Sequence, residues 1–118
     1  MPPRSDRPAG SAPSPALADV FFALGDATRL KLIAVLCAGG AYSIAQLTGT
    51  TDLTRQAVTK HLQVLAHAGL VQDLRIGRER LWQFDPTQLE QARRELEVIG
   101  RQWETALGKL KAFAEGGG

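Results

Sequence analysis

Residues 43–84 read SIAQLTGTTDLTRQAVTKHLQVLAHAGLVQDLRIGRERLWQF. The pattern predicts a short helix, a turn, a second helix and a tight hairpin. The second helix, residues 54–68 (TRQAVTKHLQVLAHA), decides the rest. On a helical wheel, Leu62, Leu65 and Gly69 fall within about 40° of Val58. Gln56, Thr59, Lys60 and Gln63 fall on the opposite side. One face is therefore apolar and close-packing. The other carries long or hydroxylated hydrogen-bonding side chains with no acid among them. Such a face suits a partner rich in acceptors and negative charge, and nucleic acid meets that description.

Upstream of this helix, Ser43 and Gln46 have the spacing of a capping box, and they open a two-turn helix holding Ile44 and Leu47. Residues 49–52 are turn-like, and Thr54 is placed to cap the second helix. Two short helices joined by such a turn fit a helix-turn-helix, whose second helix reaches base edges with its N-terminal part. Taken alone, an ordinary αα-corner gives the same pattern.

Downstream, Ala68 and Gly69 stop the helix. Strands are expected over 70–75 and 80–84, around a loop of Ile76, Gly77, Arg78 and Glu79. Trp82 and Phe84 share the inward face of the second strand. Arg75, Arg78 and Arg80 crowd the tip. A hairpin with a basic tip after a helix-turn-helix is a wing, which lies along the DNA backbone or enters the minor groove.

Further out, residues 16–24 (ALADVFFAL) predict a short apolar helix. Asp26 is an N-cap for a helix over 27–38 that is apolar on most sides and central to the core. Cys37 lies among its apolar residues, where a buried, inert thiol is expected. Gly39 and Gly40 end this helix, and Ala41-Tyr42 fit a short strand. After Asp85-Pro86, one long helix is expected over about 86–115. Its apolar positions are Leu89, Ala92, Leu96, Ile99, Trp103, Ala106, Leu110 and Phe113, alternating steps of 3 and 4 residues. A heptad seam of that length is more than a small domain can cover, so a second copy of the chain is expected to cover the remainder.

The chain has 118 residues, 44% of them hydrophobic, enough for one core-bearing domain over 16–115. Residues 1–15 hold five of the six prolines and no apolar period, and are expected to be a disordered tail. No apolar run reaches the roughly 18 residues of a membrane span, and the N-terminus has no apolar signal core. A single cysteine fits a reducing cytoplasm. Net charge is only +2, but residues 54–83 carry five bases (Arg55, Lys60, Arg75, Arg78, Arg80) against two acids (Asp73, Glu79). The positive excess thus lies on the second helix and the hairpin. No nucleophile with its base, phosphate loop or paired-carboxylate site is recognisable, so enzyme activity has no support.

With these elements placed, the chain resembles the ArsR family of winged helix-turn-helix repressors. The matching residues are 23–30 (ALGDATRL), 56–65 (QAVTKHLQVL), 68–71 (AGLV), the Gly77-Arg78 tip and Asp85-Pro86. The likeness spans about 16–113. It implies a mainly α fold with a small β-hairpin wing and a homodimer built from the first and last helices. Phe21, Leu96, Ile99, Trp103, Leu110 and Phe113 would lie in that interface. It also implies autoregulation or control of a neighbouring operon.

Metal-sensing members carry a Cys-x-Cys pair at the start of the helix before the recognition helix. Here that place reads Tyr42-Ser43-Ile44-Ala45-Gln46-Leu47. Others use Asp, His and Glu on the last helix, which here contains no His. One Cys and two His cannot build either site. The long last helix with Trp103 resembles the branch without metal ligands, which includes autorepressors of toxin-immunity operons.

The expectation is a homodimeric, sequence-specific DNA-binding repressor without a cofactor. Gln56, Thr59 and Gln63 would read bases. Arg55 and Lys60 would be shared between bases and phosphate, and Arg75, Arg78 and Arg80 would anchor the backbone. His61, at the edge of the core face, is expected to pack or touch phosphate. Whether there is an inducer is left open: an unknown small molecule would occupy an apolar pocket enclosed by the dimer interface near Trp103 and Phe21 or Phe22, or no inducer exists and protein level alone sets repression. The alternative is a protein-interaction module that keeps the fold without specific DNA binding.

Overall fold

The computed structural model of the chain describes residues 14–116. Eight elements follow in order: α1 (Pro15–Leu24), α2 (Ala27–Cys37), β1 (Ala41–Ser43), α3 (Ile44–Thr48), α4 (Arg55–His67), β2 (Val71–Ile76), β3 (Glu79–Phe84) and α5 (Thr87–Gly116). The expected tail over 1–15 lies outside the described residues as far as residue 13. Its last residue belongs instead to α1, which starts on Pro15, because a proline fits the first turn where its missing N–H costs nothing.

The helices begin where their caps are. The Asp26 carboxylate accepts from the Arg29 backbone N–H at 3.0 Å. Ser43 and Gln46 close a reciprocal capping box at 3.1 and 2.9 Å. The Thr54 hydroxyl accepts from the Ala57 N–H at 3.1 Å, fixing the first turn of α4. Each cap is worth about 1 kcal/mol. Gly69, with φ of +79°, ends α4, and a Cβ there would lie 2.6 Å from the Gln88 side chain. Only glycine suits both the backbone turn and the close approach of α5.

The hairpin is tighter than the sequence predicts. Its strands run to Ile76 and from Glu79, which pair with each other, leaving a two-residue turn of Gly77-Arg78. Gly77 at φ +63° occupies the first central position, as a type II′ turn requires, and that turn's twist matches the strands. β1 joins the far side of β3, with Tyr42 opposite Trp82, so the sheet order is β1-β3-β2.

The core collects Leu17, Val20 and Ala23 from α1, Leu32, Ile33 and Leu36 from α2, Leu47 from α3, and Val58, Leu62 and Leu65 from α4. Leu70, Val71 and Trp82 close it from the hairpin. Two expectations for α2 need correction. It is buried along one face only: Leu30 is exposed. Cys37 is exposed rather than buried. It stands one residue past Leu36, hence about 100° off the core face. Partial desolvation still pushes its thiol pKa up, which disfavours the reactive thiolate.

The last helix is the outlier. It runs for 30 residues, about 45 Å, yet only Ala92 of it is buried. Every residue over 101–116 is exposed. The radius of gyration is 19.6 Å, against about 13 Å for a compact chain of this length.

Candidate nucleic-acid interface

The helix-turn-helix is α3, the turn 49–54, and α4. Because Val58, Leu62 and Leu65 anchor one face of α4, the opposite face must point to solvent. Arg55, Gln56, Thr59, Lys60 and Gln63 together line one shallow concavity there. Sequence reasoning named all five, and the structure brings them together with no acid among them. Thr59 is half-buried, and its hydroxyl donates to the Arg55 carbonyl at 2.8 Å. Toward a ligand it is left as an acceptor, while Gln56 and Gln63 present both donor and acceptor.

The three wing arginines separate into two kinds. Arg75 and Arg78 are exposed beside the Gly77 turn. Arg80 is also exposed but is tied to the hairpin: its Nε donates to the Asp73 carboxylate at 2.8 Å, and its guanidinium lies 4.7 Å from the centroid of the Trp82 ring. Register explains the pairing. Arg75 stands directly opposite Arg80, and Asp73 on the same face offsets two like charges placed side by side.

Sequence reasoning missed the junction behind α4. The Arg29 side chain donates to the carbonyls of Ala23 and Phe22 at the end of α1, at 2.6 and 3.2 Å. It also lies over the Phe22 ring and contacts His61 Nδ1 on α4. His61 is thus packed, as expected, and its partners are now named. No periodicity signals such a pair, since its members lie 32 residues apart.

Phe21, Leu96, Ile99, Trp103, Leu110 and Phe113 are all exposed, Trp103 at 64% and Phe113 at 76%. An apolar groove of about 450 Å³ runs between α1 and the first half of α5, lined by Phe21, Leu24, Phe84, Leu89, Ala92 and Leu96 among others. Arg93 rims it, bridged to Glu90 at 2.7 Å and Glu97 at 3.1 Å. Of the residues expected around an inducer pocket, only Phe21 lines this groove. Trp103 lies farther along α5, and Phe22 faces α4 with Asp19, Lys60, Gln63, Val64, His67 and Ala68. Ser14 ties α1 to α5: its backbone N–H and hydroxyl both donate to the Glu95 carboxylate, at 2.7 and 2.8 Å.

This architecture recurs in known proteins. No protein-family model matches the chain. The HTH-type transcriptional regulator Rv2034 of Mycobacterium tuberculosis is 39% identical over 85 residues, spanning 72% of this chain and 76% of that protein. An ArsR-like transcriptional regulator from Rhodococcus sp. RHA1 superposes with a TM-score of 0.75 at 36% identity, covering 84% of this chain and 92% of that one. The chain belongs to the ArsR family of winged helix-turn-helix transcriptional regulators. A more distant likeness, at 23% identity and a TM-score of 0.58, is to the homodimeric winged helix-turn-helix DNA-binding domain Mb0332 of Mycobacterium bovis. It covers 77% of this chain and 82% of that one, and it supports the fold alone.

As an ArsR-family member the chain is a transcriptional regulator and not an enzyme. Among the described residues, no group of three or more His, Cys, Asp or Glu side chains is arranged to hold a metal ion. No described helix is long and apolar enough to cross a membrane.

Proposed function

We propose that this ArsR-family regulator is a homodimeric repressor that reads a near-palindromic operator in cytoplasmic DNA. The observation that carries this is the acid-free concavity on α4, where five polar or basic side chains converge, four of them with donors to offer. In a two-fold dimer, two such helices enter successive major grooves about 34 Å apart. Gln56 and Gln63 have the amide geometry for bidentate adenine contacts, and Arg55 and Lys60 suit guanine or phosphate. Thr59 adds an acceptor at the centre. Arg75 and Arg78 anchor the wing to the backbone, and Arg80 acts through the hairpin's shape. Covering promoter DNA would repress.

The exposed seam of α5 and the groove beside α1 supply the self-complementary face that a second copy would cover. The fold is homodimeric in the Mycobacterium bovis domain. Before a partner closes it, the same groove suits an apolar inducer, whose binding would compete with dimer formation.

The test is fluorescence anisotropy of the full chain on labelled DNA from upstream of its own gene, at about physiological salt. Binding that survives a large excess of scrambled competitor is the expected result. Equal loss to specific and scrambled competitor, followed by no enriched sequence in a genome-wide selection of bound fragments, would overturn the reading.

A further inference from the structure

A second groove, of about 490 Å³, lies between α1 and α4 and shares no residue with the one beside α5. Its size is that of small-molecule sites. Phe22, Val64 and Ala68 give it apolar walls, and Asp19, Lys60 and Gln63 stand among them.

Phe22 is the first observation. Its ring is 70% exposed, so it serves no core, and it does not line the groove beside α5. Yet it is held in place. The Arg29 guanidinium lies 5.6 Å from the ring centroid and is itself tied to the Ala23 and Phe22 carbonyls. A fixed, uncovered aromatic ring is a stacking platform. The second observation is charge. Asp19 comes from α1 and Lys60 from α4, so opposite charges face the groove from its two sides. Among the described residues neither forms an ion pair, with the other or with any third group. The third is overlap. Lys60 and Gln63 also line the reading concavity.

We propose that this groove binds a small aromatic zwitterion whose presence excludes DNA. The ring packs against Phe22 and Val64. The ammonium pairs with Asp19, and the carboxylate with Lys60 and the Gln63 amide. A purely apolar ligand would leave both charges unpaired, and a simple anion or cation would meet one like charge, so the pattern selects a ligand carrying both signs. Lys60 and Gln63 cannot serve ligand and DNA at once, which makes the two competitors. Release from DNA by this route rests on the DNA-reading role proposed above, whereas ligand binding does not. It also leaves the dimer joined, unlike an occupant of the groove beside α5.

The probe is L-phenylalanine, with phenylacetate (no ammonium) and phenethylamine (no carboxylate) as its two halves. Titration of the full-length protein without DNA, followed by NMR, should show saturable binding of phenylalanine at least about tenfold tighter than of either half. Equal affinity for all three, or no saturation by about 10 mM phenylalanine, would overturn the proposal. Asp19→Asn should bring phenylalanine down to the affinity of phenylacetate, and Phe22→Ala should weaken it about tenfold. Both side chains are exposed and neither belongs to the core, so folding is not at stake. Unchanged affinity in either variant would overturn the proposal. Anisotropy is then measured, at fixed salt, on a fragment selected from random-sequence DNA. With phenylalanine at ten times its dissociation constant, affinity for the fragment should fall about tenfold by mass action, with the oligomeric state by light scattering unaltered. Asp19→Asn should bind the fragment at least as tightly as the parent and need more phenylalanine for the same release. Undiminished DNA affinity at saturating phenylalanine, or release only with dissociation of the dimer, would overturn the competition. No preferred DNA sequence, with phenylalanine bound as expected, would instead defeat the DNA-reading role and leave the ligand site standing.

Discussion

Arg78 and Arg80 lie two residues apart and do different work. Arg78 is exposed at the turn, whereas Arg80 is bound to Asp73 and laid over Trp82. Arg78→Ala should therefore weaken binding to all DNA sequences alike and flatten the salt dependence by about one unit of log–log slope. Arg80→Ala should change that slope less and cost stability instead, about 0.5–1 kcal/mol, because an exposed ion pair and a stacked cation are each worth little. Salt titrations and urea melts of the two variants distinguish these roles. Gln56 belongs to a third kind. Gln56→Ala should relax discrimination at particular base pairs by about 1–3 kcal/mol each, read by competition with singly substituted operators. Unaltered sequence preference would show that α4 does not dock by its first turns.

Among the elements, the contact between α1 and α5 has a titratable clasp. The Ser14 backbone N–H, then its hydroxyl, hold the Glu95 carboxyl below its ordinary value of 4.5. A carboxyl depressed in the folded state contributes stability that is present above its unfolded pKa and disappears as the pH falls through the lower native value. Acid below the ordinary glutamate range should thus loosen α1 from α5. Glu95→Gln should remove that part of the acid dependence, as measured by hydrogen exchange of the first turn of α1 across the titration. The elements themselves were legible in the sequence because their signals are local. Asp26, Ser43 and Thr54 are caps read within three residues, and the seam of α5 is a period read along one helix. The five side chains on α4 were legible for the same reason, since burying Val58, Leu62 and Leu65 dictates what faces out. Arg29 with His61, and Arg80 with Asp73, were not legible. The first pair depends on how two helices pack, and the second on a strand register that the two-residue turn sets. The exposure of Cys37 was hidden because apolar neighbours in sequence do not show which way a helix turns.

At the scale of the molecule, the concavity on α4 and the groove between α1 and α5 share no residue, so a second chain seated in that groove meets none of the reading side chains in its lining. The double substitution Leu110→Asp with Phe113→Asp should convert the chain to a monomer by light scattering. It should weaken operator binding by far more than it changes the melting of the winged domain, because neither side chain contributes to the core. If the variant stays dimeric, the seam beyond Trp103 is not the interface. The stretch 101–116 has a further consequence for the cell. An isolated helix of that length is marginal in water, so in a lone chain it opens readily and offers extended backbone to proteases. Paired chains would be long-lived and unpaired ones short-lived. Turnover, and not synthesis alone, would then sharpen the amount of protein at which the regulated promoter falls silent.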